Sequence, residues 1–245
     1  MNASMSDSAV VAAWLADEIC PQWSCPPGDA VNEGRRRVAA LDADARAAVA
    51  DELRQLELLD AVPLELQQRL RPDPIFQRER LVDGAIHTIT DVRLPGASME
   101  AVRRAVFDEP WSWWDKGRIS GWTRTGTGGI RFVLWPAWLR SPARVGIDLE
   151  RPEEQACADG RRRVVATGTF FADFTGPGRY EIVEGSGTVR LRSVWDGVRR
   201  QNLLKLLPAT MVSRVHVHAE RGTLTFPFPA GTGFGGLGRH LGLAP

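Results

Sequence analysis

Apolar and polar positions change period along this chain, from helical spacing before Leu70 to simple alternation beyond Leu81. From Ser8 to Cys20 the apolar residues Val11, Trp14, Leu15 and Ile19 recur at three and four, which predicts an amphipathic helix broken by "CPQWSCPPGD". A longer helical segment begins near Arg35, with Asp42 as cap or joint and Val49, Leu53, Leu56 and Leu59 as its apolar stripe. Pro63 opens a third, short helix to Leu70, and "RPDPIF" reads as a linker because proline disfavours helix at the residue before it. Residues 1–75 are therefore expected to form a helical N-terminal segment.

Ile86, Thr88, Thr90, Val92 and Leu94 alternate with His87, Ile89, Asp91 and Arg93, which predicts a half-buried strand ending at "LPGAS". Ser98 is placed to cap a helix through Phe107, and Pro110 opens a turn or short helix that carries Trp111, Trp113 and Trp114. Further strands are expected near 119–125, 130–136, 143–150, 163–174, 179–184 and 188–198, with "TGTGG", "TGPG" and "EGSG" as turns between several of them. The stretch from Ala209 to Leu224 draws as a helix with Met211, Val215 and His218 on one face, although its "VHVH" fits a strand equally well. The tail, residues 226–245, is too rich in Pro and Gly to predict a regular element.

Alternation also assigns faces. Val189, Leu191, Ser193 and Trp195 point one way and Arg190, Arg192 and Asp196 the other, so the first set should face inward. Val145, Ile147 and Leu149 should likewise face in, opposite Arg144, Asp148 and Glu150. For 163–174 the sets Val165, Thr167, Thr169, Phe171 and Val164, Ala166, Phe170, Phe174 are equally plausible inner faces.

Composition narrows function without choosing one. The chain has 245 residues and a net charge of +1, so no strong field favours nucleic acid or an anionic membrane. No basic, then apolar, N-terminal leader and no long apolar run is present, which leaves a cytoplasmic location and no integral membrane segment as the expectation. Cys20, Cys25 and Cys157 are spaced for neither a disulfide framework nor zinc. His216 and His218 are two apart without an evident third ligand, so no metal is expected. Gly231, Gly233 and Gly236 match G-x-G-x-x-G in letters but lack the strand and helix that give it meaning, and no cofactor is expected. The arginine runs at 35–37 and 161–163 read as solvated ends, and nucleophile-elbow, H-E-x-x-H and Walker motifs are absent.

"LPGASMEAVRRAVFDEPWSWWD", "GRYEIVEGSGTVRLRSVWDGV" and "LLPATMVSRVHVHAERGTL" occur in the order strand–helix, last hairpin, final helix. In that order, over about residues 81–225, the chain resembles the START-like (SRPBCC) helix-grip superfamily, which includes bacterial polyketide cyclase-like and lipid-transfer-like proteins. The resemblance implies an α+β fold: a curved seven-stranded antiparallel sheet around a C-terminal helix, here with a helical segment before it and the tail after it. It also implies an apolar cavity between sheet and helix, holding a small hydrophobic or aromatic molecule or a lipid. The expected ligand-binding residues are Trp111, Trp113, Trp122, Thr88, Thr90, Leu191, Trp195, Met211 and Val215.

Two alternatives stand beside that binding role. A cyclase or aromatase-like enzyme would use the same cavity, with His218 as acid/base and Ser193, Thr88 or Arg124 orienting a carbonyl. An interaction module would have its cavity filled by its own side chains and would use the N-terminal helices to bind a protein partner or a second copy.

Overall fold

The computed structural model describes residues 42–44, 47, 51, 55, 56, 59–110, 113, 119–124, 130–134, 145–157, 160–213 and 234–243. The chain divides into two units, residues 1–62 and 63–245. In the first unit the described residues from 43 to 61 are helical, and Leu56, Leu59 and Asp60 are buried. The helix expected from Ser8 to Cys20 lies outside the described residues.

The second unit opens as its sequence requires. Pro63 precedes helix α1, Leu64–Leu70, and its carbonyl accepts from Leu66 and Gln67. Gln67 Nε2 donates to the Ser186 carbonyl at 2.9 Å, holding α1 to the last hairpin of the sheet. The buried Arg93 guanidinium donates to the carbonyls of Gln67 (3.1 Å), Asp73 (3.0 Å) and Arg71 at and just beyond the C-terminal end of α1, where the Gln67 carbonyl also accepts from the Arg71 N–H.

Among the described residues nine strands follow: β1 Ile75–Val82, β2 Ala85–Pro95, β3 Ile119–Arg124, β4 Ile130–Leu134, β5 Val145–Leu149, β6 Glu153–Ala156, β7 Arg162–Ala172, β8 Phe174–Gly185 and β9 Thr188–Arg200. All pairings are antiparallel, in the order β1-β2-β9-β8-β7-β5-β4-β3 with β6 beside β7. The seven expected strands form, joined by β1 and β6, but the expected turn "TGPG" lies inside β8, because the chain turns at Ala172–Asp173 and Phe174 already belongs to the next strand. β1 corrects the linker reading of "RPDPIF", whose Ile75 and Phe76 already pair with Val92 and Asp91. The cause is the turn after it: Asp83 and Gly84 have φ of 50° and 73°, the left-handed pair of a tight hairpin that returns the chain as β2. At the β2–β9 bulge, between Ile86 and Thr88, His87 Nδ1 lies 2.6 Å from Asp196 Oδ1.

Helix α2, Met99–Arg103, has the expected cap: Ser98 Oγ accepts from the Ala101 N–H at 3.2 Å. It continues through Asp108 as a wider π turn, with Ala105, Val106 and Phe107 buried. The expected helix from Ala209 is helical to Ser213, and its remainder lies outside the described residues. The tail corrects its sequence reading, because Phe234–His240 forms a short helix, α3, despite three glycines. Phe234 and Leu237 are buried in the core cluster and Leu241 packs against it, so tertiary contact supplies what helix propensity withholds.

The core sits on one face of the sheet. Val92, Leu94, Val189, Leu191, Trp195, Ile182, Val164, Ala166 and Phe170 lie there with Ile147 and Leu149, packed with Met99, Val102 and Val106 of the helix. This confirms the inner set of β9 and resolves β7 in favour of Val164, Ala166 and Phe170. Asp148 is half-buried and Glu150 exposed, as expected for their face.

The opposite face departs from simple alternation. Arg190, Arg192, Asp91, Arg179 and Glu181 are all buried, so the polar side of β9 is not a solvated one. Register explains how they coexist, since Asp91, Arg192 and Glu181 stand side by side on β2, β9 and β8. Arg192 Nε and Arg190 NH1 reach Asp91 Oδ1 at 2.9 and 3.3 Å, and Arg163 Nε and Arg179 NH2 reach Glu181 at 2.7 and 3.4 Å.

Strain is localised where β7 turns into β8. Ala172 has φ of 73°, a conformation that a Cβ disfavours by about 1–2 kcal/mol. Ala172→Gly should relieve it, against about 0.4–1 kcal/mol of added unfolded-state entropy, for a net gain of about 0.5–1 kcal/mol in urea unfolding.

Candidate functional site

Four polar side chains cross the inner face at one level. Gln77 of β1 pairs with Thr90 of β2, Thr90 with Ser193 of β9, and Ser193 with Tyr180 of β8. Gln77 Nε2 donates to Thr90 Oγ1 at 3.4 Å, and Thr90 and Ser193 are fully buried. One level away, Val92, Leu191, Ile182 and Val164 make an aliphatic row.

On the other side of the polar row stand Thr88, Trp195, Gly178 and Gly168. Two facing glycines leave the space above the sheet open, and the Phe170 ring occupies it: a Cβ on Gly178 would lie 2.4 Å from that ring. Phe170 and Phe174 then flank Trp195, at ring centroid distances of 4.2 and 5.3 Å. Thr88, 2% exposed, sits in this aromatic setting, and its Oγ1 has no hydrogen-bond partner among the described residues. A buried hydroxyl in that state costs about 1–3 kcal/mol relative to a satisfied one.

The chain fills part of the space itself. Trp113 Nε1 donates to the Ala105 carbonyl at 3.0 Å, and its ring stacks on Phe234 of α3 at 5.6 Å. Phe234 in turn meets Tyr180 edge-on at 6.4 Å. Trp113 is thus a core residue bound to its own helix and to the tail.

The expected residues fall into three groups. Thr88, Thr90, Ser193, Leu191 and Trp195 share the inner face on neighbouring strands, and Trp113 is buried in the same core cluster. Met211 is 44% exposed, so it faces solvent rather than the interior. Arg124 is half-exposed, with NH2 3.8 Å from Asp108 at the end of the π turn. Trp111, Val215 and His218 lie outside the described residues, as does the side chain of Trp122. Gln77 and Phe234 were missed in the sequence, and Phe170 and Phe174 were placed there only in one of two possible inner faces. The Phe170 and Phe174 spacing was legible, but their meeting with Trp195 needs the strand pairing.

Among the described residues no three His, Cys, Asp or Glu side chains gather as a metal site requires. On the opposite face burial pushes the Glu181 carboxyl up, but Arg179, Arg192, Arg163 and Arg190 together outweigh that and bring it down to about 2. An open pocket of about 370 Å³ lies elsewhere, beside Ser98, Glu184 and Arg162. Its Ser98 hydroxyl is already engaged as the α2 cap.

No family model matches the chain, and no curated protein matches it. No helix among the described residues is long and apolar enough to cross a membrane. Among solved structures the chain is similar to the human StarD13 (DLC2) lipid transfer and protein localization domain, with TM-score 0.40 and 15% identity over 60% of this chain and 78% of that one. It is also similar to a conserved protein of unknown function, EF2215 from Enterococcus faecalis, with TM-score 0.32 and 16% identity over 67% and 87% of the two chains.

Proposed function

We propose that the second unit is a helix-grip-like binding module that holds a small apolar or aromatic molecule, or a lipid, against the inner face of its sheet. One observation carries this reading: Thr88 presents a buried, unpaired hydroxyl beside Trp195, on a face otherwise built of aliphatic and aromatic groups. A mostly apolar surface with a few directed polar groups is what such ligands require, and an unpaired hydroxyl is retained at a cost that a ligand can offset. Thr90 and Ser193 continue the polar row and supply further orienting contacts.

A second reading has its own support. Phe234 stacks on Trp113 and touches Tyr180, which fits an interior occupied by the chain's own tail and a role as an interaction module. The cyclase-like reading has no matching observation among the described residues.

Thr88→Val separates the first two readings. With the ligand-free protein, removing the unpaired hydroxyl should raise unfolding stability by about 1 kcal/mol. Titrated with a fluorescent fatty acid as probe, the same variant should bind about tenfold more weakly, through loss of one directed hydrogen bond. Unchanged probe affinity, or no probe binding by the parent, would move the choice to the filled-interior reading.

A further inference from the structure

The segment after β9 presents leucine to solvent. In the 3-10 turn Asn202–Leu206, Leu203 and Leu206 are 56% and 79% exposed, followed by Leu207 at 38% and Met211 at 44%. A 3-10 turn places residues three apart on the same side, so Leu203 and Leu206 share one outward edge. Leu204 points the other way and packs against the core, which anchors the turn.

The turn is built rather than loose. Asn202 Nδ2 donates to Asp173 Oδ1 at 2.9 Å and to the Ala172 carbonyl at 3.2 Å, and the Gln201 N–H donates to the Asp173 carbonyl at 2.6 Å. Both sides of this contact hold unfavourable backbone, with φ of 48° at Asn202 and 73° at Ala172. Arg200 donates to the Leu207 carbonyl and closes the turn from below. Non-glycine residues persist in this conformation only where their surroundings over-determine it. Here the result is a fixed display of leucine side chains.

Charge identifies what the display suits. From Gly197 to Ser213 the chain carries Arg199, Arg200 and Lys205 and no acidic residue. Of the carboxylates around it, Asp173 is buried and bonded to Asn202 and Asp196 is buried beside His87, while exposed Asp83 stands beside Arg199, which donates to the Asp83 carbonyl at 3.3 Å. Leucines projecting from a locally cationic base complement an anionic bilayer, whose surface attracts the cations while its acyl region takes the leucines.

We propose that residues 199–211 form a docking surface for anionic membrane. The turn lies flat on the headgroups, Leu203, Leu206 and Leu207 enter the interface, and Arg199 and Lys205 pair with lipid phosphates. This surface uses residues apart from Thr88 and its neighbours, so it stands whether or not the inner face holds a ligand.

The test is flotation of the full chain with vesicles of phosphatidylcholine alone and of an equimolar mixture with phosphatidylglycerol. Binding to the mixed vesicles is expected, with weak binding to phosphatidylcholine and a steep loss on adding salt. The double variant Leu203→Ser, Leu206→Ser, and separately Lys205→Glu, should each lower the bound fraction about tenfold or more. Both alter exposed side chains, so an unchanged circular dichroism melt verifies the fold. Absence of binding to the mixed vesicles, or binding that these variants leave unchanged, would overturn the proposal. Concentration-dependent dimerisation lost in the leucine variant, without vesicle binding, would overturn it in favour of a second copy as the occupant.

Discussion

Glutamine in place of Glu181 is expected to cost the folded chain about 3–5 kcal/mol, read as a lower midpoint in urea unfolding. The carboxylate is buried with Arg163 Nε at 2.7 Å, Arg179 NH2 at 3.4 Å and Arg192 NH1 at 3.9 Å. Glutamine keeps the shape and removes the charge, leaving cations whose desolvation is no longer offset. The acid limb reports the same group. Its carboxyl is held at about 2 in the fold, below its usual value, so its contribution is fully present above the unfolded value near 4.5. That contribution is lost as pH falls from about 4.5 through about 2. The parent should therefore lose stability steeply in that window and the glutamine variant much less. Parallel acid limbs in the two proteins would contradict this account of the cluster.

Trp195→Ala is expected to destabilise by a similar amount, about 3–5 kcal/mol, for a different reason. The ring is 5% exposed and lies between Phe170 and Phe174, and Phe170 is itself seated over Gly178. Removing the indole leaves a hole that neither phenyl ring can fill without leaving its own seat. Trp195→Phe should cost less than half as much, because most of the contact surface remains. The comparison is made by equilibrium unfolding of the full chain. Near-equal losses for the two variants would mean that the indole fills no such space.

Much of the fold was legible because alternation over β2, β7, β8 and β9 sorts apolar from polar positions, and because Ser98 and Pro63 are strong local signals. β1 was missed since "IFQRERLV" carries charge on both of its faces. It lies at one end of the sheet and is half-buried over most of its length, so its sequence lacks the apolar alternation of a covered strand. The Asp83–Gly84 pair was the available signal. β6, "EEQA", offers no apolar position besides Ala156. In the tail, glycine content hid the three- and four-residue spacing of Phe234, Leu237 and Leu241.

The candidate site was half legible for a related reason. Thr88, Thr90, Ser193 and Trp195 could be placed on one face from single-strand alternation. That Trp195 meets Phe170 and Phe174, or that Arg192 lies between Asp91 and Glu181, depends on register between strands distant in sequence. Met211 went astray because the chain between β9 and its helix forms a separate turn, which leaves that side chain outside.

The central claim is that the inner face beside Thr88 and Trp195 holds an apolar ligand. Native mass spectrometry of the protein purified gently from its own cell extract tests it most directly. The account predicts a discrete added mass on the intact chain that is lost on denaturation, and that diminishes in the Thr88→Val protein prepared alongside it. A bare chain, or an added mass indifferent to Thr88, would contradict it.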